Sequence, residues 1–290
     1  LKALSLALLA IISVDNSQDT KEAEDYLSRL RSIKSGDNAP DVAAATAFVE
    51  YVVEWRQDRL IDAEKSLADL SALVKKVAHP ELYPVDVGIA RIRYGQGDWD
   101  GLFEFSLAAL KARERAGFTS PRPLMFITCL IGLYDGAGEE AASLCEAQAR
   151  QIDSTGGART RLARALALAV KGEAELAERE VAASRALAPD DTLLEIDRAR
   201  IEVEIAAAQG NLDEAEEATW RQSDLLTGVV NEKSRKAHAF RRLGTLAIKA
   251  GEPARACAPL RRSRDLYTAV GGAPGAAAVS SMLDAAKCAE

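Results

Sequence analysis

The chain has 290 residues, of which 48% are hydrophobic and 5% aromatic, with a formal net charge of −7 and a pI near 5.2. So much apolar material excludes intrinsic disorder and suffices for a large core. The acidic balance argues against a protein that coats nucleic acid throughout. Alanine dominates the composition, which favours closely packed helices over sheets.

The chain opens with Leu1–Val14 (LKALSLALLAIISV), which couples Lys2 to an apolar run in the manner of a signal peptide. The run is short of the about 20 residues a bilayer span needs, and no small-x-small cleavage site precedes Asp15. It is expected to be a helix whose partner is the amphipathic Asp19–Ile33, so no membrane contact is implied. Beginning at Leu rather than Met, the chain reads as a fragment or processed form of a larger regulatory protein.

Helix pairs are then predicted at Asp41–Gln57 with Leu60–Val77, Pro84–Tyr94 with Trp99–Gly117, and Arg122–Tyr134 with Glu139–Ile152. Further pairs follow at Thr160–Val170 with Ala174–Leu187, Thr192–Gln209 with Leu212–Thr227, and Glu232–Ala250 with Ala254–Val270. A last helix is read over Ala276–Ala289. Asp190 or Asp191 supplies an N-cap for the Thr192 helix, and Gly210 stops it. Breaks fall at Gly36-Asp37, His79-Pro80, Ser120-Pro121, Gly156-Gly157 and Pro189.

One spacing organises all of these pairs. A turn residue is followed five positions later by a small or apolar one at Gln18–Ala23, Asp58–Ala63, Gly97–Leu102, Gly136–Ala141, Gly172–Ala177, Gly210–Ala215 and Gly251–Ala256. The steps between them are 40, 39, 39, 36, 38 and 41 residues. A unit repeated at such a period is the mark of a solenoid, whose units survive by stacking on one another. The expected units are residues 1–36, 37–79, 80–118, 119–154, 155–189, 190–229 and 230–271, with a cap at 274–290. The turn residue makes the tight corner, and the small residue lies where the first helix crosses the second. Leu102 is the large exception, and the neighbouring Gly101 is expected to relieve its crowding.

The pattern resembles the tetratricopeptide repeat: a small residue in the first helix, a turn Gly or Asp seven positions on, then an Ala five further. Phe240, Leu243, Gly244, Gly251 and Ala256 fall at the W/F, L, G, turn and A positions of that family, and Pro189 stands twelve residues after Ala177, where a unit often closes. The period of about 39 exceeds the family's 34. Longer units look like the sensor arms of bacterial signal-transduction ATPases and related transcription regulators. The resemblance implies an all-α, right-handed superhelical solenoid of about seven units. Such arms bind a protein partner or a small inducer in a concave groove. Family geometry lines that groove with residues ten, six and three before each turn: here Phe48, Trp55, Arg91, Tyr94, Phe126, Arg200, Glu204 and Arg241.

The chemistry of catalysis is not found. G-x-x-x-x-G-K-[ST], H-E-x-x-H and G-x-S-x-G are all missing. His79 stands beside Pro80 in a break, and His238 sits on a helix without a paired Cys or His, so no metal or cofactor is expected. Gly95–Gly101 imitates a phosphate loop, but it follows a helix and its spacing is one residue too long. Acidic runs at Glu173–Glu180 and Glu214–Glu217 read as solvated helix faces. Cys129, Cys145, Cys257 and Cys288 lack metal-ligand spacing and read as small buried hydrophobes, from which a reducing, cytoplasmic setting follows.

One charge feature resists a bland reading. Residues 233–264 hold ten basic side chains against Glu252 alone, a net +9 that leaves −16 for the remainder. The run packs on the acidic preceding unit or on a further domain, or it meets an anionic partner. For the second case the candidate patch is Lys236, Arg242, Arg261, Arg262 and Arg264. The expected function is a non-catalytic module that binds a protein or peptide, acidic where it meets the basic unit. A small-ligand sensor arm controlling an ATPase or DNA-binding domain is the second option, and nucleic acid through the basic unit is the third.

Overall fold

The computed structural model describes residues 5–6, 9, 20–33, 39–80, 83–117, 122–134, 140–145, 147, 157–229 and 231–288. Apart from residues 5, 6 and 9, the expected helix over Leu1–Val14 lies outside them. The described residues form helices and connecting turns, with no strand among them. In chain order these are α1 (Lys21–Arg31), α2 (Ala39–Arg56), α3 (Leu60–Leu73, continued by a 3-10 turn at Val74–Lys76), α4 (Val85–Gln96) and α5 (Leu102–Arg115). After α6 (Arg122–Tyr134) comes a helical segment at residues 140–145. The chain continues with α7 (Ala158–Val170), α8 (Ala174–Leu187), α9 (Thr192–Ala208), α10 (Leu212–Leu225), α11 (Glu232–Lys249), α12 (Pro253–Ala269) and α13 (Ala273–Ala285). Each helix packs chiefly on its chain neighbours, as solenoid stacking requires.

The repeating spacing has the geometry it implied. Every described turn residue of the pattern has a positive φ, from 56° at Asp58 to 85° at Gly172. Ala23, Ala63, Leu102, Ala141, Ala177, Ala215 and Ala256 are all 0% exposed. A Cβ on Gly244 in α11 would stand 2.5 Å from Leu260 of α12, so a larger side chain there would wedge the pair apart. The expected role of Gly101 is corrected. A Cβ there would meet nothing within 4 Å, and the residue is needed for its left-handed φ of 61°, not for space.

Side chains secure the helix ends. Asp191, one of the two candidates read from sequence, accepts hydrogen bonds from the backbone N–H groups of Leu193 and Leu194 at 3.0 and 3.1 Å and caps α9. Fully buried Arg198 donates to the carbonyls of Ser184 and Ala188 at 3.0 and 2.7 Å and pairs with Glu195 at 3.0 Å, which holds α9 against the C-terminal end of α8.

The reading of the cysteines is corrected. Cys129 of α6 is bonded to Cys145 of the following helical segment, and Cys257 of α12 to Cys288 just beyond α13. Antiparallel neighbours bring the Cα atoms to 5.1 and 5.5 Å, within the range a disulfide spans. Cys129 and Cys145 are buried, as expected, but paired. With the pairing goes the argument for a reducing compartment, which rested on free thiols. No helix among the described residues is long and apolar enough to cross a membrane.

The solenoid curls back on itself, so that α11 and α13 reach α4 and the corner between α2 and α3. Across 175 and 176 residues, Asp58 accepts from the backbone N–H groups of Lys233 and Ser234 at 2.8 and 3.3 Å and from the Ser234 hydroxyl. Asn231 returns the bond, donating its side-chain amide to the Trp55 carbonyl at 2.5 Å and its backbone N–H to the Arg56 carbonyl at 3.1 Å. The turn of one helix pair thus caps the start of α11, while the residue before α11 satisfies carbonyls at the end of α2.

Candidate functional site

That closure brings five elements onto one inner wall. Tyr94 lies in the last turn of α4, Trp99 follows in the turn after it, Phe126 and Tyr134 come from α6, Arg200 and Glu204 from α9, and Arg235, His238, Arg241 and Arg242 from α11. On α11 the spacings of three and four residues stack Arg235, His238 and Arg242 along one face.

The aromatic side of the wall is built around His238. Its ring lies 4.3 Å from Tyr94 and 5.4 Å from Trp99, both edge-on, and 5.7 Å from Tyr267 of α12. Trp99 also meets Tyr134 at 6.3 Å. Arg241 lies over the Trp99 ring at 4.0 Å and donates to the Gly97 carbonyl at 3.0 Å. Gly97 is pressed closely enough that a Cβ would stand 2.7 Å from Tyr267.

The charged side is mostly paired. Glu204 is 3% exposed and takes a two-pronged bond from Arg242 at 2.7 and 2.5 Å, while Arg242 stacks over Tyr134 at 4.5 Å. Arg200 pairs with Asp197 at 3.1 Å and covers Phe126 at 5.1 Å. Burial pulls the Arg200 guanidinium down, but Asp197, Tyr134, Tyr94 and Glu204 together outweigh it and the net shift is upward. Burial raises the Tyr134 and Tyr267 hydroxyls, and it depresses the His238 imidazole to about 3. His238 is therefore neutral across the physiological range.

Of the groove residues read from sequence, Tyr94, Phe126, Arg200, Glu204 and Arg241 are brought to this wall. Trp55 and Arg91 instead pair with each other, with the guanidinium 4.7 Å from the ring. Phe48 is corrected to a core residue, 9% exposed and packed against Tyr51 and Tyr83. The basic run does not form one exposed face. Lys236 is bonded to Glu232 and Thr227, and its side chain, like that of Arg242, is 13% exposed. Arg255 bonds Asp213 and Glu216 of the acidic preceding pair. Arg262 is exposed and lies over Trp220 and Phe240, Arg264 meets Asp265 at 3.6 Å, and Arg261 is half-buried on α12.

Sequence reasoning missed Arg235, His238, Trp99 and Tyr134 as wall residues. The ten-six-three rule assumes an open groove, and these positions face inward because the solenoid closes. A larger hollow of about 390 Å³ lies between α8, α9 and α10, but its Arg185, Arg221 and Glu202 are ion-paired to one another.

Comparison with solved structures decides the fold. The chain aligns with NprR in complex with its cognate peptide NprX at a TM-score of 0.64 and 13% identity, over 97% of this chain and 82% of NprR. It aligns with a Rap protein complexed with Competence and Sporulation Factor at 0.55 and 14% identity, over 91% and 79%. A tetratricopeptide repeat protein from Parabacteroides merdae matches at 0.50 and 13% identity, over 98% of both chains. The fold is that of a tetratricopeptide-like helical repeat. No family model matches the sequence, and no curated protein does either. Identities this low establish the architecture and leave function to the chain's own residues.

Proposed function

We propose that the chain is a non-catalytic regulatory module that binds a short peptide on its inner wall. The observation that carries this reading is the convergence of Tyr94, Trp99 and Tyr134 with Arg200, Arg235, Arg241 and Arg242 on one wall, backed by the buried Tyr267. Aromatic rings supply contact area at low entropic cost, and guanidinium groups recognise carboxylates. An acidic peptide suits such a wall. The same fold in NprR and Rap, crystallised with NprX and with Competence and Sporulation Factor, supports the peptide reading.

The closure between α11 and the corner of α2 and α3 narrows the wall to a small cavity, so a peptide must part it to enter. Binding energy is then spent partly on breaking the bonds of Asp58 and Asn231. The test is selection of short peptides against the purified chain from a random display library, followed by calorimetry. A selected peptide whose binding weakens about tenfold or more in Tyr94→Ala and Arg241→Ala supports the proposal. Selection of nothing, or binding indifferent to both substitutions, overturns it.

A further inference from the structure

Among the described residues of the inner wall, one guanidinium is left without a hydrogen-bonded partner. Arg200 is matched by Asp197 and Arg242 by Glu204, but Arg235 makes no side-chain hydrogen bond or ion pair among the described residues. It is not out in solvent: it lines a cavity of about 40 Å³ with Tyr94, Tyr134, Arg200, Glu204 and His238. His238 is 7% exposed, and neither ring nitrogen makes a hydrogen bond of good geometry, beyond a marginal contact to the Tyr94 backbone. A half-buried guanidinium without an anion and a buried imidazole short of partners face one small space, and the imidazole's unmet bonds are costly in a folded chain.

The size of the space selects the occupant. A water needs about 10–15 Å³ of such volume, so the cavity takes about three heavy atoms. Water would satisfy His238 but would not neutralise Arg235. A carboxylate has three heavy atoms, one charge and two acceptor oxygens, whereas a phosphate is larger. We propose that this cavity is a carboxylate-binding site, in which one oxygen accepts from the Arg235 guanidinium and the other from the neutral His238 N–H. The wall already holds one carboxylate in this manner, since Arg242 grips Glu204. Burial lowers Arg235, with Arg200 adding to the effect against the pull of Asp197, so an incoming anion restores what burial takes away.

The carboxylate belongs either to a free small acid or to a side chain or terminus of the bound peptide, and the second source rests on the peptide reading above. The first probe is formate alone, titrated into the intact chain against chloride at matched ionic strength. The melting midpoint should rise saturably with formate in the chain and in a Glu214→Gln control on the separate α8–α10 hollow. It should rise with an affinity lower by about tenfold or more in Arg235→Gln and His238→Phe. Because Arg235→Gln removes a half-buried cation that has no anionic partner, that variant should melt no lower than the parent without formate. This readout separates a binding role from a structural one.

No formate-dependent rise, the same rise in both cavity variants, or a lower ligand-free midpoint for Arg235→Gln overturns the proposal, whether or not peptides bind. A saturable rise with no selectable peptide keeps the site and assigns it to a free acid. Competition between formate and a selected peptide assigns it to the peptide's carboxylate.

Discussion

A buried ion pair and a buried imidazole set the energetics of the inner wall in opposite ways. Glu204 and Arg242 are a desolvated pair, so each is tolerable because of the other. Glu204→Ala strands the guanidinium and should cost about 3–5 kcal/mol in urea unfolding, whereas replacing both by Met and Leu should come within about 1 kcal/mol of the parent. A loss in the double variant equal to the sum of the Glu204 and Arg242 single-variant losses would show that the pair is not coupled. His238 is buried neutral. Burial first, and the charge of Arg241 second, hold it at about 3 against an ordinary 6.5. Below pH 6.5 the unfolded chain takes up a proton that the folded chain refuses, so stability falls as the pH drops through that window. The slope for this one group is about 1.4 kcal/mol per pH unit. His238→Phe removes the term, so parent and variant stabilities should diverge from pH 6.5 downward. Parallel profiles would contradict the buried neutral assignment.

At the scale of elements, the informative contact is the exchange of caps between α2 and α11. The C-terminal end of α2 carries partial negative charge and the N-terminal end of α11 partial positive charge, and the closure sets them together. Asp58 is held in the left-handed region at φ 56° and supplies the acceptors that Asn231 does not supply to its own helix. Burial raises its carboxyl, against the lowering bonds from Ser234 and Lys233. Asp58→Gly keeps the turn and deletes the cap. It should cost about 1 kcal/mol and speed amide exchange at Lys233 and Ser234 while the α2–α3 corner stays protected. Unchanged protection at those two amides would show that the cap is dispensable.

The same residue marks what was legible in the sequence. Asp58 was readable as a turn residue, and Ala63 as the small residue that packs behind it, because both roles are local and recur at a fixed period. A cap at Asp190 or Asp191 was readable because capping too is local. That Asp58 caps a helix 176 residues away was not readable. The meeting depends on curvature summed over every intervening pair, to which no short motif corresponds. The missed disulfides have a related cause. Cys129 and Cys145 stand 16 residues apart, a spacing that suits no ligand motif and becomes a bond once antiparallel helices set the two side chains face to face.

For the whole molecule, closure depends on small residues where the two ends of the curl touch. Gly275 in the first turn of α13 sits so close to α4 that a Cβ would stand 2.5 Å from the Gln96 carbonyl and 2.9 Å from the Tyr267 ring. Its φ is not in the left-handed region, so alanine is tolerated there by the backbone and excluded by the neighbour. In isolation Gly275→Ala should favour the helix by about 0.8–1 kcal/mol. In the closed molecule it must push α13 from α4 and press on Tyr267 of α12, which backs His238. The Cys257–Cys288 bond ties the far end of α13 to α12, so the helix swings as a tethered piece and does not unravel. Gly275→Ala should therefore enlarge the radius of gyration in small-angle scattering while leaving the helical circular dichroism unchanged. If entry requires the curl to part, the same variant should bind a selected peptide more tightly, because part of the opening cost has already been met. An unchanged radius would show that the contact yields locally. A larger radius with unchanged or weaker peptide affinity would show that the closed wall is itself the binding surface.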